Sequence, residues 1–297
     1  MQWDSVSSRA WPGLWLWPPH GRAAGATIFH EPPQPRDPDR NAFIRYRGRF
    51  TLDRVPGRAT LWLSADGRYL AYVNGTRIGR GPAASDADVR EVDPWDITAL
   101  VRSGSNVVAL LVHAYGFDTA WYSRPTALAA SGRGGGAIYA HADLGGATAL
   151  ARIEDWRVAR ATEWQGDTPR VNDSLGSVEV RDARGEPVGW EQPGFDDAGW
   201  AIPEPCAPDQ PALPGRTYFP VLRPRAVPLF VERELAPRRW SAGEVSDADR
   251  PGPDDIFARS AAEEATALER CEVRGDGAAL RVRTVPGRAV RIAYDFG

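Results

Sequence analysis

The strongest constraint on this chain is an alternation. From Ile44 to Leu52 the apolar residues Ile44, Tyr46, Phe50 and Leu52 fall on even positions, while Arg45, Arg47 and Arg49 fall on odd ones. Only an extended backbone sends every second side chain to the same side, so this period of two predicts a strand with one dry and one wet face. Ala59, Leu61, Leu63 and Ala65 repeat the pattern against Thr60, Ser64 and Asp66, and Asp66-Gly67 then marks a tight turn. Tyr69 to Val73 reads as a further strand. It ends at Asn74-Gly75, the strongest short hairpin signal, because a type I′ turn needs positive φ at both central positions. Val107 to Val112 is a continuous apolar run that suits a fully buried strand. Short strands punctuated by Gly, Pro and Asp argue for a β-sandwich and against an α/β fold.

At 297 residues the chain is long enough for one to three domains. Its formal net charge of −3 gives no bulk attraction to nucleic acid or to an acidic membrane. All 36 basic residues are arginine, which we read, with the abundant Ala, Gly and Pro, as a coding bias rather than a functional signal. Two cysteines, Cys206 and Cys271, do not make a disulfide framework. No basic segment followed by an apolar run opens the chain, and no stretch approaches about 20 apolar residues, so a cytoplasmic location is expected.

Pro-rich polar stretches at 18–38 and 203–215 read as loops or linkers. They divide the chain into an N-terminal extension with the first strand or strands (1–40), a jelly-roll domain (41–204), and a linker with an incomplete second β-sandwich (205–297). In the last part, strands are expected over Leu229–Val231, Ala279–Val285 and Ala289–Phe296, and a helix over Asp254–Glu269.

A series of ordered signatures runs through the first two-thirds. It begins with Trp15-Leu16-Trp17 and Asn41-Ala42-Phe43-Ile44-Arg45-Tyr46-Arg47. It continues through Leu63-Ser64-Ala65-Asp66-Gly67-Arg68-Tyr69, Tyr72-Val73-Asn74-Gly75, Ile78-Gly79-Arg80-Gly81-Pro82, Asp96-Ile97-Thr98, Gly104-Ser105-Asn106-Val107-Val108-Ala109, His113-Ala114-Tyr115-Gly116 and Glu179-Val180-Arg181-Asp182-Ala183-Arg184. It closes on Trp190-Glu191-Gln192-Pro193-Gly194-Phe195-Asp196-Asp197-Ala198-Gly199-Trp200. In this order and spacing, over roughly residues 10–205, the chain resembles the N-terminal jelly-roll region of bacterial α-L-rhamnosidases of glycoside hydrolase family 78. Single motifs also occur in the galactose-binding-like sandwiches of β-galactosidases and β-glucuronidases. The resemblance implies an all-β fold, a galactose-binding-like jelly roll followed by a partial second sandwich. It places the hydrolytic acids on an (α/α)6 barrel that this chain does not reach, so no catalytic residue is carried over. An inverting mechanism would use one carboxylic acid and one carboxylate.

Candidate substrate-binding residues are Arg80, Asp86, Tyr115, Trp121 and Tyr122, with Asp88 and His113 beside them. They sit at strand ends or in loops, where sandwiches carry binding groups. Trp121 or Tyr122 could supply an aromatic platform for a sugar ring, and Arg80 with an aspartate could hydrogen-bond its hydroxyls. The alternative is packing, with His113 and Tyr115 in the core and Arg80 paired inside the sandwich. No cofactor is expected. Because some jelly rolls of the resembled family bind sugar with calcium, Asp86, Asp88 and Asp93 could offer it oxygen ligands, though their spacing does not fit an EF-hand loop. Trp190, Phe195 and Trp200 read as packing around a turn closed by Asp196 and Asp197. Trp15 and Trp17 suggest an edge segment with one ring exposed, or else core or domain-interface packing. Gly132, Gly134 and Ala137 match a dinucleotide fingerprint by spacing only. The expected partners are a rhamnose-containing glycoside and a separate C-terminal catalytic domain, with neither nucleic acid nor membrane. The expected role is a non-catalytic accessory region of a rhamnosidase-like hydrolase. Alternatives are a free-standing lectin-like module, a ligand-free adaptor, or a sandwich with its own carboxylate pair.

Overall fold

The computed structural model describes residues 11–19, 41–85, 89–115, 136–168, 177–205, 221–233, 235, 239–246, 273–274, 281–282 and 288–295. The chain divides into two compact units, Met1–Phe230 and Val231–Gly297. The first contains β1 (Leu14–Trp17), β2 (Ala42–Leu52), β3 (Thr60–Ala65), β4 (Arg68–Val73), β5 (Thr76–Gly81), β6 (Val89–Asp96), β7 (Gly104–Ala114), β8 (Ile138–Asp143), β9 (Thr148–Ala149), β10 (Trp156–Arg160), β11 (Glu204–Pro205) and β12 (Val221–Pro224). They form two sheets, one in the order β11-β1-β8-β3-β6-β12 with β9 added to β8, the other in the order β10-β2-β7-β4-β5. The protein is therefore all-β, and its larger unit is a two-sheet sandwich. Among the described residues no helix is long and apolar enough to cross a membrane.

The core lies between the sheets, and β2 shows how the sequence builds it. Ile44, Tyr46, Phe50 and Leu52 all point inward, as the alternation requires. The even row skips one position, at Gly48. A Cβ there would stand 2.8 Å from both Leu150 and Trp156, so the buried Trp156 ring occupies the space that a side chain at 48 would need. The Asn74-Gly75 hairpin forms with φ of 50° and 86°, as a type I′ turn demands. Asn74 does more than turn the chain. Its Nδ2 donates to Leu100 O (2.8 Å) and to Asn106 Oδ1 (2.9 Å), and its Oδ1 accepts from Val107 N (2.9 Å). The hairpin is thereby tied to the start of β7.

The odd face of β2 is exposed only at Arg49 and Thr51; from Phe43 to Arg47 it is dry. Arg45 is 1% exposed and Arg47 0%. They lie beneath a cover of turns and bridges whose described residues are 161–168 and 177–201. Buried guanidinium groups need acceptors, and this cover supplies them. Arg45 pairs with Glu163 and, at 3.5 Å, with Glu186. Arg47 Nε donates to Asp197 Oδ2 (2.7 Å), and its terminal nitrogens donate to the carbonyls of Trp190 and Gln192. Arg49, half exposed, also pairs with Asp197. Arg45 and Arg47 stand 5.1 Å from the Trp190 and Phe195 ring centroids respectively. Burial pulls the Arg47 pKa down to about 10. Phe195 and Trp200 meet edge to face at 5.6 Å, and Asp196 closes the turn by accepting from Ala198 N at 3.0 Å. Asp197 serves the arginines instead.

Other expectations are also revised. β1 is flanked by β8 and β11, and Trp15 and Trp17 are both buried, so neither ring is exposed. They join Trp62, Val92 and Tyr139 on the outer face of their sheet, with Trp11 and Leu222 packed against them. The expected break at 204–205 moves to beyond Phe230, because β11 pairs with β1 and β12 pairs in parallel with β6. Leu229–Val231 is not a strand; Leu229 packs against the sandwich core. In the second unit, β13 (Arg239–Ser246) pairs with β16 (Arg288–Asp295), and β14 (Val273–Arg274) with β15 (Arg281–Val282), both antiparallel. The helix expected over 254–269, most of the strand expected over 279–285, and Cys206 and Cys271 lie outside the described residues.

Candidate functional site

Register places Phe43 of β2, His113 of β7 and Arg68 of β4 in one row on the outer face of the five-stranded sheet. Two further rings extend this row into a column. Phe43 stacks on Trp164 at 4.1 Å and on His113 at 4.3 Å, and His113 meets Tyr115 at 4.6 Å. A guanidinium caps each end, Arg181 over Trp164 and Arg68 over Tyr115, both at 5.2 Å. Such caps are favourable because the ring face is electron-rich.

Asn41 fixes the middle of the column. Its φ is 47°, and its N–H donates to Tyr115 O at 2.9 Å. Its Nδ2 donates to Thr168 Oγ1 at 3.0 Å and points at the carbonyls of Gln165 and Gly166. Its Oδ1 is left to accept from His113 Nε2 at 2.7 Å, which sets the His113 tautomer. Burial, helped by the Arg68 charge, lowers the His113 pKa to about 4. His113 is therefore a neutral spacer at neutral pH, not a proton shuttle. Burial raises the Tyr115 hydroxyl above its ordinary value; Arg68 opposes this and Glu179 reinforces it. A half-buried phenol with an exposed guanidinium over its ring and an exposed carboxylate acting on its hydroxyl offers donors and an acceptor at one apolar ring. That combination suits a polyhydroxylated ligand.

Of the expected site residues, Tyr115 and His113 belong to this column. Arg80 does not join them. It lies over the Phe230 ring at 5.2 Å, with Arg225 over the same ring at 4.9 Å. Asp86, Asp88, Trp121 and Tyr122 lie outside the described residues. Asp93, the one calcium candidate among the described residues, is engaged inside the sandwich. It is fully buried, accepts from the Tyr69 hydroxyl, and accepts from Arg225 Nη1 at 3.0 Å. Trp95 Nε1 donates in turn to Tyr69 at 2.9 Å. Burial pushes the Asp93 carboxyl up, against the pull of those hydrogen bonds. Among the described residues no group of three or more His, Cys, Asp or Glu could hold a metal.

Asn41, Arg68, Trp164 and Arg181 belong to the column, and the Glu179 charge acts on its Tyr115 end; the sequence did not single these five out for a site. Asn41 and Arg68 lie inside motifs that read as fold signatures. Glu179 and Arg181 lie on the cover inside another such signature, and Trp164 lies on the cover where no motif or periodicity marks it.

Residues 55–222 match the family model of the α-L-rhamnosidase N-terminal domain. An α-L-rhamnosidase of Streptomyces avermitilis is 32% identical over 167 residues, 53% of this chain and 15% of that protein. The crystal structure of a GH78 family rhamnosidase of Bacillus sp. GL1 superposes with a TM-score of 0.64 at 30% identity, covering 80% of this chain and 22% of that one. An α-L-rhamnosidase from Dictyoglomus thermophilum shares the fold at a TM-score of 0.50 and 17% identity, covering 82% of this chain and 25% of its own. The chain thus spans a quarter or less of the length of these relatives.

Proposed function

The chain belongs to the α-L-rhamnosidase N-terminal domain family, and from that premise we propose that it is a non-catalytic sandwich. In this reading it supports the hydrolysis of terminal α-L-rhamnosides by a catalytic barrel that is not part of it. The observation that carries the reading is what the buried acids do. Glu163, Asp197, Asp93 and Asp66 are each held by an arginine: Arg45, Arg47, Arg225 and Arg90. Glycoside hydrolysis needs two carboxyl groups facing one cleft, about 5 Å apart or about 6.5–9.5 Å apart, one of them able to carry a proton. Carboxylates locked to guanidinium groups inside a sandwich hold the fold and do no such work. The ligand class is carbohydrate, contacted at the Tyr115 end of the aromatic column, where Arg68 lies over the ring and the Glu179 charge acts on its hydroxyl.

The test uses this chain as it stands. Incubation with p-nitrophenyl α-L-rhamnoside is expected to release no nitrophenol above the blank. Turnover that persists through further purification would overturn the non-catalytic reading. Calorimetry with L-rhamnose, with and without calcium, tests the sugar contact. Saturable heat that disappears in Tyr115→Ala supports it; heat that Tyr115→Ala leaves intact moves the contact elsewhere.

A further inference from the structure

The segment 221–230 joins the sandwich in an unusual way. In most strands of this unit, apolar side chains enter the core. Leu16 of β1 does so, and Trp15 and Trp17 are buried on the opposite face. In β12, Val221 and Arg223 are exposed and Leu222 only partly buried. Val227 and Phe230 are 54% and 49% exposed; Leu229 packs against the inner core, and Leu222 against the tryptophan cluster on the outer face of the sheet.

Charge and backbone fix the segment's register. On β6 two acids, Glu91 and Asp93, stand two residues apart. On β12 and its exit two arginines, Arg223 and Arg225, do the same. The parallel register sets Arg223 opposite Glu91. Arg223 Nη2 donates to Glu91 Oε1 at 2.8 Å, and Ala226 N donates to Glu91 Oε2 at 3.3 Å. Arg225 N continues the ladder to Val92 O at 3.0 Å, while its guanidinium enters the sandwich to reach Asp93. A Cβ on Gly81 would stand 2.0 Å from Asp93 Oδ2, and one on Gly79 would stand 2.3 Å from the Trp95 ring. Two glycines of β5 thus leave room for the acid and its aromatic neighbour. Matched charges at equal spacing on two parallel strands are a recognition code, fixing which segment docks and in which register.

We propose that residues 221–230 form a detachable strap, an intramolecular strand ligand selected by the Glu-X-Asp edge of β6. The partner chemistry this edge accepts is an extended peptide with two arginines two residues apart. Docking fastens the chain from Val231 onward to the sandwich; release frees it without unfolding the sandwich.

The experiment uses the full chain carrying Arg223→Glu with Arg225→Glu, and in parallel Arg223→Gln with Arg225→Gln. Chymotrypsin cleavage at Leu229 and Phe230 is expected to quicken at least tenfold in the charge-reversed chain and less in the neutral one. The near-ultraviolet circular dichroism of the buried tryptophans should be retained. A fluorescein-labelled peptide of residues 220–231 is then expected to bind the charge-reversed chain saturably, by anisotropy. It should bind the unaltered chain at least tenfold more weakly, because the edge is occupied there. The same peptide with glutamate at both arginine positions should not bind. Loss of the near-ultraviolet signal in both variants would make the segment an integral part of the core and overturn the proposal. Unchanged cleavage would show that the arginines do not select it. Release without peptide binding would show that the edge is not a docking site.

Discussion

At the scale of single residues, the sandwich depends on a few polar side chains that have one partner arrangement each. Asp197 is buried and accepts from both Arg47 and Arg49. Removing its charge strands the fully buried Arg47. Asp197→Asn is therefore expected to cost about 3–5 kcal/mol, the usual penalty for breaking a buried pair from one side. Urea unfolding measures it, with Arg184→Ala, on an exposed pair with Asp182, as the near-neutral control. His113 predicts a pH dependence. Its pKa is about 4 in the folded chain against 6.5 for the free side chain. Between those values the unfolded chain binds more protons. The stability from a neutral His113 is therefore complete above about pH 6.5 and is lost as the pH falls toward 4, by up to roughly 3 kcal/mol. Comparing urea midpoints at pH 7 and 4.5 for the native chain and His113→Gln isolates it: the variant should lose less stability on acidification.

At the scale of elements, the hairpins and the central strands were legible because their signals are local. The alternation of β2, the apolar run of β7 and the Asn74-Gly75 turn each follow from a handful of adjacent residues. What was hidden was long-range. Nothing near Arg45 or Arg47 in the chain announces that Glu163 and Asp197, more than a hundred residues on, will bury them, so a charged face read as solvated. The column was half visible for the same reason: Tyr115 and His113 stand at a strand end, but Trp164 and Arg181 arrive on the cover. β12 was missed because four residues containing a proline carry no periodicity; its trace was the equal spacing of Glu91 and Asp93 and of Arg223 and Arg225. Gly48 is the opposite case, a break in a pattern with a definite cause. Gly48→Val is expected to collide with Trp156 and Leu150 and cost about 1–3 kcal/mol through overpacking, read from the thermal midpoint. Gly75→Ala should destabilise too, since φ is 86° and the added methyl would meet Gln192.

At the scale of the whole molecule, the larger unit is defined by where its edges are closed, and the strap closes one of them. A chain shortened to residues 1–230 should therefore unfold at a higher urea concentration than one ending at 204. The latter lacks Arg225 and leaves the Asp93 carboxyl without its charged partner, a loss of about 1–3 kcal/mol. Equal midpoints would return the boundary to 204.

The two faces of β2 also set different rules for how its sequence can drift over generations. On the inner face, Ile44 or Leu52 can exchange for another apolar residue of similar volume singly, because neighbouring side chains repack. On the outer face no such independent step exists. Arg45 can be lost only along with Glu163, and Arg47 only along with Asp197 and whatever then satisfies the carbonyls of Trp190 and Gln192. Relatives of this chain should thus vary freely on the inner row of β2 while changing positions 45 with 163, and 47 with 197, in pairs.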